Sequence, residues 1–202
     1  MTSPANDRLS ADDQPFVTVV SGLPRSGTSL MMQMLAAGGI PPLTDGERTA
    51  DHDNPRGYLE LERVKQIDSD PSFLADAAGK AVKLIHVLAL KLPPAEVPYR
   101  IVFMNRPIEE VVASQAAMLE RSGREGARLP EKQLRDVLHR QRLRAIKTLG
   151  ERADVRLLEV DYRSLVNDAV EEAERINAHF DGRLDVKAMV TAVDPSLYRN
   201  RG

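Results

Sequence analysis

Short, nearly continuous apolar runs rich in β-branched residues alternate along the chain with longer segments of helical periodicity. The run Phe16-Val17-Thr18-Val19-Val20 is typical of a strand buried on both faces of a parallel sheet. Further strands are predicted over residues 81–87, 100–104 and 155–160. The segments between them predict helices over 28–37, 108–121, 131–150, 162–180 and 184–193. Strands that alternate with helices predict a three-layer α/β/α fold around a parallel sheet of about four or five strands.

The helix predicted over 162–180 illustrates the pattern. Its apolar side chains recur every three or four residues and are expected to share one face, which consists of Val170, Ala173, Ile176 and Phe180. That face should pack against the sheet.

Length and composition indicate one globular domain. The 202 residues are 42% hydrophobic and 29% charged, which is enough chain for a core. Residues 1–15 are polar and predict a disordered tail, so the domain is expected to span 16–202. Neither a signal peptide nor an apolar stretch of about 20 residues stands out, which predicts a cytoplasmic protein without a membrane span.

Charge and cysteine content narrow the chemistry. A formal net charge of −2 gives no electrostatic case for binding nucleic acid. The chain has no cysteine, which excludes disulfides, cysteine-based zinc sites and thiol nucleophiles.

Residues 21–29, between the first strand and the first helix, carry the strongest chemical signal. Backbone amides at the start of a helix can converge on one anion, and the helix dipole adds partial positive charge there. Gly27 lets the backbone approach a ligand closely, and Arg25 supplies a permanent cation. Thr28 and Ser29 supply hydroxyl donors. The segment therefore predicts a phosphate site.

This loop departs from the Walker A loop of nucleoside triphosphatases at one position. The Walker pattern requires Lys and then Ser or Thr after the second glycine, whereas Thr28 follows Gly27 here. Because the lysine that reaches the β- and γ-phosphates is missing, a single 5′-phosphate fits the loop better than a triphosphate.

The segment Pro24-Arg25-Ser26-Gly27-Thr28-Ser29 resembles the 5′-phosphosulfate loop of the sulfotransferase family, in the arginine form of its bacterial and Golgi-type members. The resemblance implies a P-loop domain with 3′-phosphoadenosine 5′-phosphosulfate (PAPS) as co-substrate. A sulfuryl group would move by in-line displacement to a hydroxyl or amine acceptor. The residues implied to bind the 5′ end of the donor are Arg25, Ser26, Gly27, Thr28 and Ser29. No metal is required, because the sulfonate carries less charge than a γ-phosphate.

A second part of the resemblance concerns the 3′-phosphate. Family members bind it with an arginine at a strand end and a serine eight positions later, which correspond to Arg106 and Ser114. On a helix, eight positions span about 12 Å. Joint contact therefore needs a nucleotide between the two side chains or a bend at the strand end. The segment Arg199-Asn200-Arg201-Gly202 loosely resembles a late Arg-Lys-Gly segment of the family, which implies Arg199 as a further contact; a solvated basic terminus is the alternative.

The resemblance also indicates which side chains carry the chemistry. Sulfuryl transfer needs charge stabilisation on the leaving phosphate, for which Arg25 is implied, and a base for the acceptor proton. The segment Lys83-Leu84-Ile85-His86 lies where many members have Lys-Thr-His. Residues three apart on a strand face opposite ways, so only one of the two ends can face the site. We predict Lys83 as a sulfonate contact and His86 as a core histidine.

The base is assigned from a neighbouring loop. Asn54-Pro55-Arg56-Gly57-Tyr58-Leu59-Glu60 resembles an Asn-Pro-x-Gly-x-x-Glu segment of bacterial sulfotransferases, which makes Glu60 the first candidate. The alternatives are Glu47, Asp45 and His86.

Other functions stay open at this stage. Asp51-His52-Asp53 has no second histidine at ligand spacing, so no metal site is predicted. Val160-Asp161 imitates a Walker B strand end, which keeps a P-loop small-molecule kinase as an alternative, beside a non-catalytic nucleotide-binding protein of the same fold. The acceptor is expected to be a small molecule or a carbohydrate.

Overall fold

A parallel sheet forms the centre of the protein. The computed structural model describes residues 15–47, 57–123, 126 and 129–194. Its strands are β1 (Val17–Gly22), β2 (Ala81–Lys83), β3 (Tyr99–Asn105) and β4 (Val155–Asp161), in the spatial order β2-β1-β3-β4. Every neighbouring pair is parallel. The predicted α/β fold with a central parallel sheet is confirmed, with four strands among the described residues. The tail predicted over 1–15 lies almost wholly outside them.

Helices connect the strands. Within the described ranges they are α1 (Thr28–Ala37), α2 (His86–Ala89), α3 (Ile108–Ser122), α4 (Glu131–Gly150), α5 (Tyr162–Asn167), α6 (Ala169–His179) and α7 (Val186–Ala192), with 3₁₀ segments at Glu62–Gln66 and Ser72–Ala77. The bounds of α1 and α4 coincide with those predicted. None of these helices combines the length and apolar composition needed to cross a membrane.

The second strand is shorter than the pattern predicted. The strand predicted over 81–87 ends at Lys83, and residues 86–89 form α2 instead. The pairing of β2 with β1 ends at Val20 opposite Lys83, and Ala81 also forms an isolated parallel bridge with Pro42. The Leu84 amide still donates to the Val20 carbonyl oxygen at 2.9 Å. Beyond it the chain turns away into α2, while β1 continues to Gly22 paired with β3.

The helix predicted over 162–180 is also wrong in one respect, because it is divided at Asp168. This residue has a non-helical φ of −136°, and its side chain accepts a hydrogen bond from the Glu171 amide at 3.1 Å, which starts α6. Ala173, Ile176 and Phe180 are buried as expected, but Val170 is 53% exposed. At 100° per residue, Val170 points about 90° away from the mean direction of the other three.

Helices cover both faces of the sheet. Successive residues of a strand point to opposite sides. On one side Val20 and Val102 pack against α1, α5, α6 and α7. On the other side Val19 and Ile101 pack against α4 and the 3₁₀ segments. A central strand must therefore be apolar at every position, which explains the continuous apolar run of β1.

The strand order also locates a candidate ligand crevice by topology alone. The chain leaves β1 toward β2 on one side and later adds β3 on the other side. In sheets of this kind ligands bind where the order reverses, outside the carboxyl ends of the strands. The loop after β1 lies at that position.

A different cluster occupies the amino ends of β3 and β4. His179, at the end of α6, is 5% exposed, and its Nε2 atom has no hydrogen-bond partner among the described residues. The Arg100 guanidinium donates to the His179 carbonyl oxygen at 2.8 Å. Burial lowers the pKa of His179 to about 4, and the nearby charges of Arg156 and Arg100 act in the same direction.

We expect the free energy of unfolding to decrease as the pH falls from 6.5 to 4, because the unfolded chain takes up a proton on His179 that the folded protein does not. The difference between the two pKa values corresponds to at most about 3 kcal/mol. Urea denaturation at several pH values should show a flatter profile for His179→Leu. His139→Leu, at an exposed position of α4, should keep the wild-type profile. Parallel profiles for wild type and His179→Leu would contradict the expectation.

Candidate active site

The loop after β1 turns tightly into α1. The Ser26 amide donates to the Leu23 carbonyl oxygen at 3.1 Å, which closes the turn. Gly27 precedes α1 with φ 102°, and Arg25 has φ 70°, a region that a residue with a side chain rarely adopts. No side chain of the described residues caps α1. The first amides of the helix are therefore directed at the open end of the turn, where an anion can accept from them.

Two glycines of this loop are required by close packing. A Cβ atom on Gly22 would lie 2.7 Å from the Met104 carbonyl oxygen on β3. A Cβ atom on Gly27 would overlap the ring of Tyr162, at 2.8 Å from its Cε2 atom. The loop is thus pressed against β3 on one side and against the first residue of α5 on the other.

The structure brings the loop into direct contact with the second predicted phosphate motif. Arg25 Nε donates to Ser114 Oγ at 3.1 Å, and Arg106 Nη1 donates to the Arg25 carbonyl oxygen at 3.2 Å. Arg25 and Ser114 lie 89 positions apart in sequence. Helical spacing alone predicted that a nucleotide or a bend at the strand end must relate Arg106 to Ser114. In the structure Arg25 connects them, because its backbone carbonyl contacts Arg106 and its side chain contacts Ser114.

Arg106 is enclosed by a set of residues that sequence analysis did not identify. It is 7% exposed, and its Nε donates to Glu110 Oε2 at 2.8 Å. Its guanidinium lies 4.7 Å from the centre of the Tyr162 ring. Arg163 Nε donates to the other oxygen of Glu110 at 2.6 Å. The spacing of four between Arg106 and Glu110 was the available signal, because it is the spacing of a helical ion pair.

Lys83 forms the second half of the candidate site. Its side chain is 7% exposed at the end of β2, and its ammonium group contacts Ser29 Oγ at 3.0 Å and the Tyr58 carbonyl oxygen at 2.9 Å. It also forms an ion pair with Glu60 Oε1 at 3.0 Å. The structure therefore brings together the three residues that sequence analysis placed on separate segments: Ser29, Glu60 and Lys83.

Two serine hydroxyl groups lie buried at the loop. Ser21 is fully buried and Ser26 is 1% exposed, and neither Oγ atom has a hydrogen-bond partner among the described residues. Buried hydroxyl groups without a partner cost free energy. The region under the loop thus retains hydrogen-bonding capacity that the described protein atoms do not use.

The alternative bases have other roles in the structure. Asp45 accepts hydrogen bonds from the backbone amides of Glu62 and Glu47, which lower the pKa of its carboxyl group. Glu47 is exposed. His86 is 4% exposed and lies 3.2 Å from Gln141 Oε1, and burial lowers its pKa. Of the four candidates, Glu60 is the one that contacts Lys83.

The Walker B resemblance of Val160-Asp161 has a structural explanation. Asp161 ends β4 and caps α5, because its Oδ1 accepts from the Ser164 amide at 2.9 Å. A carboxylate engaged as a helix cap needs no metal to account for its position at the end of β4.

A surface cavity of about 620 Å³ lies apart from these residues, between the beginnings of α3 and α4. Its lining has mixed charge, including Glu109, Lys132 and His139. None of the sequence-predicted site residues lines it. Of those predicted residues, Arg199 lies outside the described part of the chain, as do Asn54, Pro55 and Arg56 of the segment before Glu60.

Comparisons with known proteins relate this arrangement to one fold. No family model matches the chain, and no curated protein sequence does. Among solved structures, the sulfotransferase domain of the Synechococcus PCC 7002 olefin synthase has a TM-score of 0.60 at 16% identity, over 91% of this chain and 86% of that one. A sulfotransferase from Mycobacterium tuberculosis H37Rv has a TM-score of 0.57 at 18% identity, over 88% of this chain and 71% of that one. The sulfotransferase domain from the curacin biosynthetic pathway has a TM-score of 0.50 at 12% identity, over 83% of this chain and 74% of that one. At these identities the likeness establishes a shared fold.

We expect Gly27→Ala to destabilise the protein much more than the same change at Gly79. Both glycines have positive φ, 102° and 70°, but a Cβ atom at Gly79 meets nothing within 4 Å. The left-handed backbone alone costs about 1–2 kcal/mol, and forcing the Tyr162 ring aside adds about 1–3 kcal/mol. Urea denaturation of the two variants measures the difference. Equal unfolding midpoints would show that the loop is not packed against Tyr162 as described.

Proposed function

We propose that this protein is a PAPS-dependent sulfotransferase that moves a sulfuryl group to a hydroxyl or amine acceptor. The observation that carries the proposal is the contact of Arg25 with both Arg106 and Ser114. It joins a loop suited to a 5′-phosphate to a second cationic position suited to a 3′-phosphate. An adenosine nucleotide with phosphates at both positions matches such a pair, whereas a nucleoside triphosphate does not.

At the donor's 5′ end we assign the loop amides, Ser26, Gly27, Thr28 and Ser29 to the phosphosulfate. The open start of α1 supports this assignment, since it offers amide donors and a partial positive charge. We assign Arg25 to the leaving phosphate. Its contact with Ser114 supports a position between the two phosphates, from which one guanidinium can respond to charge at either end.

At the transfer end we assign Lys83 to the sulfonate and Glu60 to the acceptor proton. The acceptor oxygen or nitrogen forms a bond to sulfur while the bond from sulfur to the phosphate oxygen breaks, and the electron pair stays on the phosphate. Glu60 takes the proton that the acceptor loses. The ion pair with Lys83 supports this role, because it holds the Glu60 carboxylate beside the group that we assign to the sulfonate.

Lys83 also connects the two ends of the reaction. Its contact with Ser29 ties it to the phosphosulfate loop, and its contacts with Tyr58 and Glu60 tie it to the segment that carries the base. A cation in this position can stabilise the negative charge of the sulfuryl group during transfer. The base and the donor are then held at a separation set by one buried side chain.

The kinase alternative is less well supported. The lysine of the Walker A pattern is replaced by Thr28, and the acid of the Walker B resemblance, Asp161, caps α5. A non-catalytic nucleotide-binding protein would lack turnover of the donor. Release of the desulfated nucleotide from the donor in the presence of a panel of acceptors would distinguish an enzyme from such a binding protein.

We expect 3′-phosphoadenosine 5′-phosphate to bind at least about tenfold more tightly than 5′-AMP, because the second phosphate adds a charge-assisted contact with Arg106 and Ser114. Calorimetry with both nucleotides tests this. Addition of EDTA should leave both affinities unchanged, since no triphosphate is present to hold magnesium. Equal affinities would remove the 3′-phosphate site from the proposal, and binding that requires magnesium would favour the kinase.

We expect Glu60→Gln to reduce transfer by roughly 10²–10⁴ while affinity for the desulfated nucleotide stays within a factor of about two. The substitution keeps the shape of the side chain and removes the proton acceptor. Glu47→Gln is the matched control, because Glu47 is an exposed acid of the preceding loop and a rival candidate for the base. Transfer to an acceptor found by screening is the readout. If Glu47→Gln lost activity and Glu60→Gln kept it, the base would be Glu47.

A further inference from the structure

Glu110 is a buried carboxylate shared by two arginines. Its side chain is 0% exposed on the first turn of α3. One oxygen accepts from Arg106 Nε at 2.8 Å, and the other accepts from Arg163 Nε at 2.6 Å and forms an ion pair with Nη2 of the same side chain. A buried carboxylate is stable only when cations and hydrogen bonds offset its desolvation. Here two cations do so for one anion.

This arrangement determines how Arg106 is oriented. An isolated arginine and carboxylate commonly pair through two parallel hydrogen bonds, which occupy one edge of the guanidinium. Arg163 occupies Oε1 of Glu110, so Arg106 is held at Oε2 through Nε. Its Nη1 is directed instead to the Arg25 carbonyl oxygen, 3.2 Å away.

We propose that Arg163 is a positioning residue for the 3′-phosphate site and acts through Glu110. The inference rests on the proposed function, since it assumes that Arg106 binds the 3′-phosphate. Arg163 holds one oxygen of Glu110 and thereby keeps the Arg106 guanidinium turned toward the phosphate loop. Without Arg163, both oxygens of Glu110 would turn to Arg106 and draw it toward α3.

The charge balance acts in the same direction. Arg106, Arg163 and Glu110 together carry one net positive charge, whereas Arg106 and Glu110 alone carry none. Arg163 is 46% exposed, so solvent screens part of its contribution. The buried Arg106 can attract a phosphate because its partner's charge is already offset by a second cation.

The positioning role of Arg163 is tested by comparing Arg163→Met with Arg175→Met. Arg175 is the matched control, because it is also 46% exposed and pairs with a buried glutamate, Glu172, which is 8% exposed. The measured quantity is the affinity for 3′-phosphoadenosine 5′-phosphate divided by that for 5′-AMP, determined by calorimetry. We expect Arg163→Met to reduce this ratio about tenfold with little change in the affinity for 5′-AMP. Arg175→Met should leave the ratio within a factor of about two.

Two further variants separate positioning from direct contact. Arg163→Lys should recover much of the ratio, because one cationic donor suffices to hold Oε1 of Glu110. In a Glu110→Gln background, Arg163→Met should have no further effect, since its route of action is already removed. Additive effects, or an unchanged ratio in Arg163→Met, would overturn the inference. A wild-type ratio near one would instead remove the 3′-phosphate site from the proposed function, so the two failures are distinguishable.

Discussion

Six consecutive residues of β1 pair in parallel with six of β3, from Val17 opposite Tyr99 to Gly22 opposite Met104. Because parallel strands end at the same edge of a sheet, this register sets the phosphate loop beside the residues that follow β3. Gly22 must lack a side chain for the loop to pass the Met104 carbonyl, and Arg106 then reaches the Arg25 carbonyl. A shift of one residue in this pairing would reverse the inward and outward faces and separate the two cations.

Charge in the site is distributed so that each buried ion has partners on a different element. Lys83 on β2 meets Ser29 on α1 and Glu60 on the loop that follows. Arg106 after β3 meets Glu110 on α3. Such pairs do not stabilise the fold by much, because desolvation offsets most of their attraction. Their effect is on geometry, since the contacts of Lys83 join β2 to α1 and to the segment that carries Glu60.

The sequence predicted the parts of the fold that depend on local pattern. The apolar run of β1 predicted a buried central strand, and α1 and α4 begin and end where their patterns do. Elements that depend on distant partners were missed. The length of β2 is one of these, because it is set by where its pairing with β1 ends. The division at Asp168 has a local cause instead, since the Asp168 side chain caps α6 through the Glu171 amide.

The candidate site shows the same distinction. Arg25, Lys83 and Glu60 could be named from their segments, but the contact of Arg25 with Ser114 joins residues 89 positions apart. Glu110 lies four positions after Arg106, a spacing that the sequence shows, but the contact of Arg163 with Glu110 appears only when α3 and α5 are placed side by side. Local spacing identified the charged groups, whereas the tertiary arrangement determines which of them share a counter-ion.

The ring of Tyr162, packed between Gly27 and the Arg106 guanidinium, has an optical consequence. The chain has no tryptophan and four tyrosines, so its absorption near 280 nm, and the fluorescence excited there, come from tyrosine. Two of the four, Tyr58 and Tyr162, lie against the cations Lys83 and Arg106 at the two ends of the candidate site. The chain's own chromophores therefore sample the electrostatic environment at both ends of that site, without an attached label.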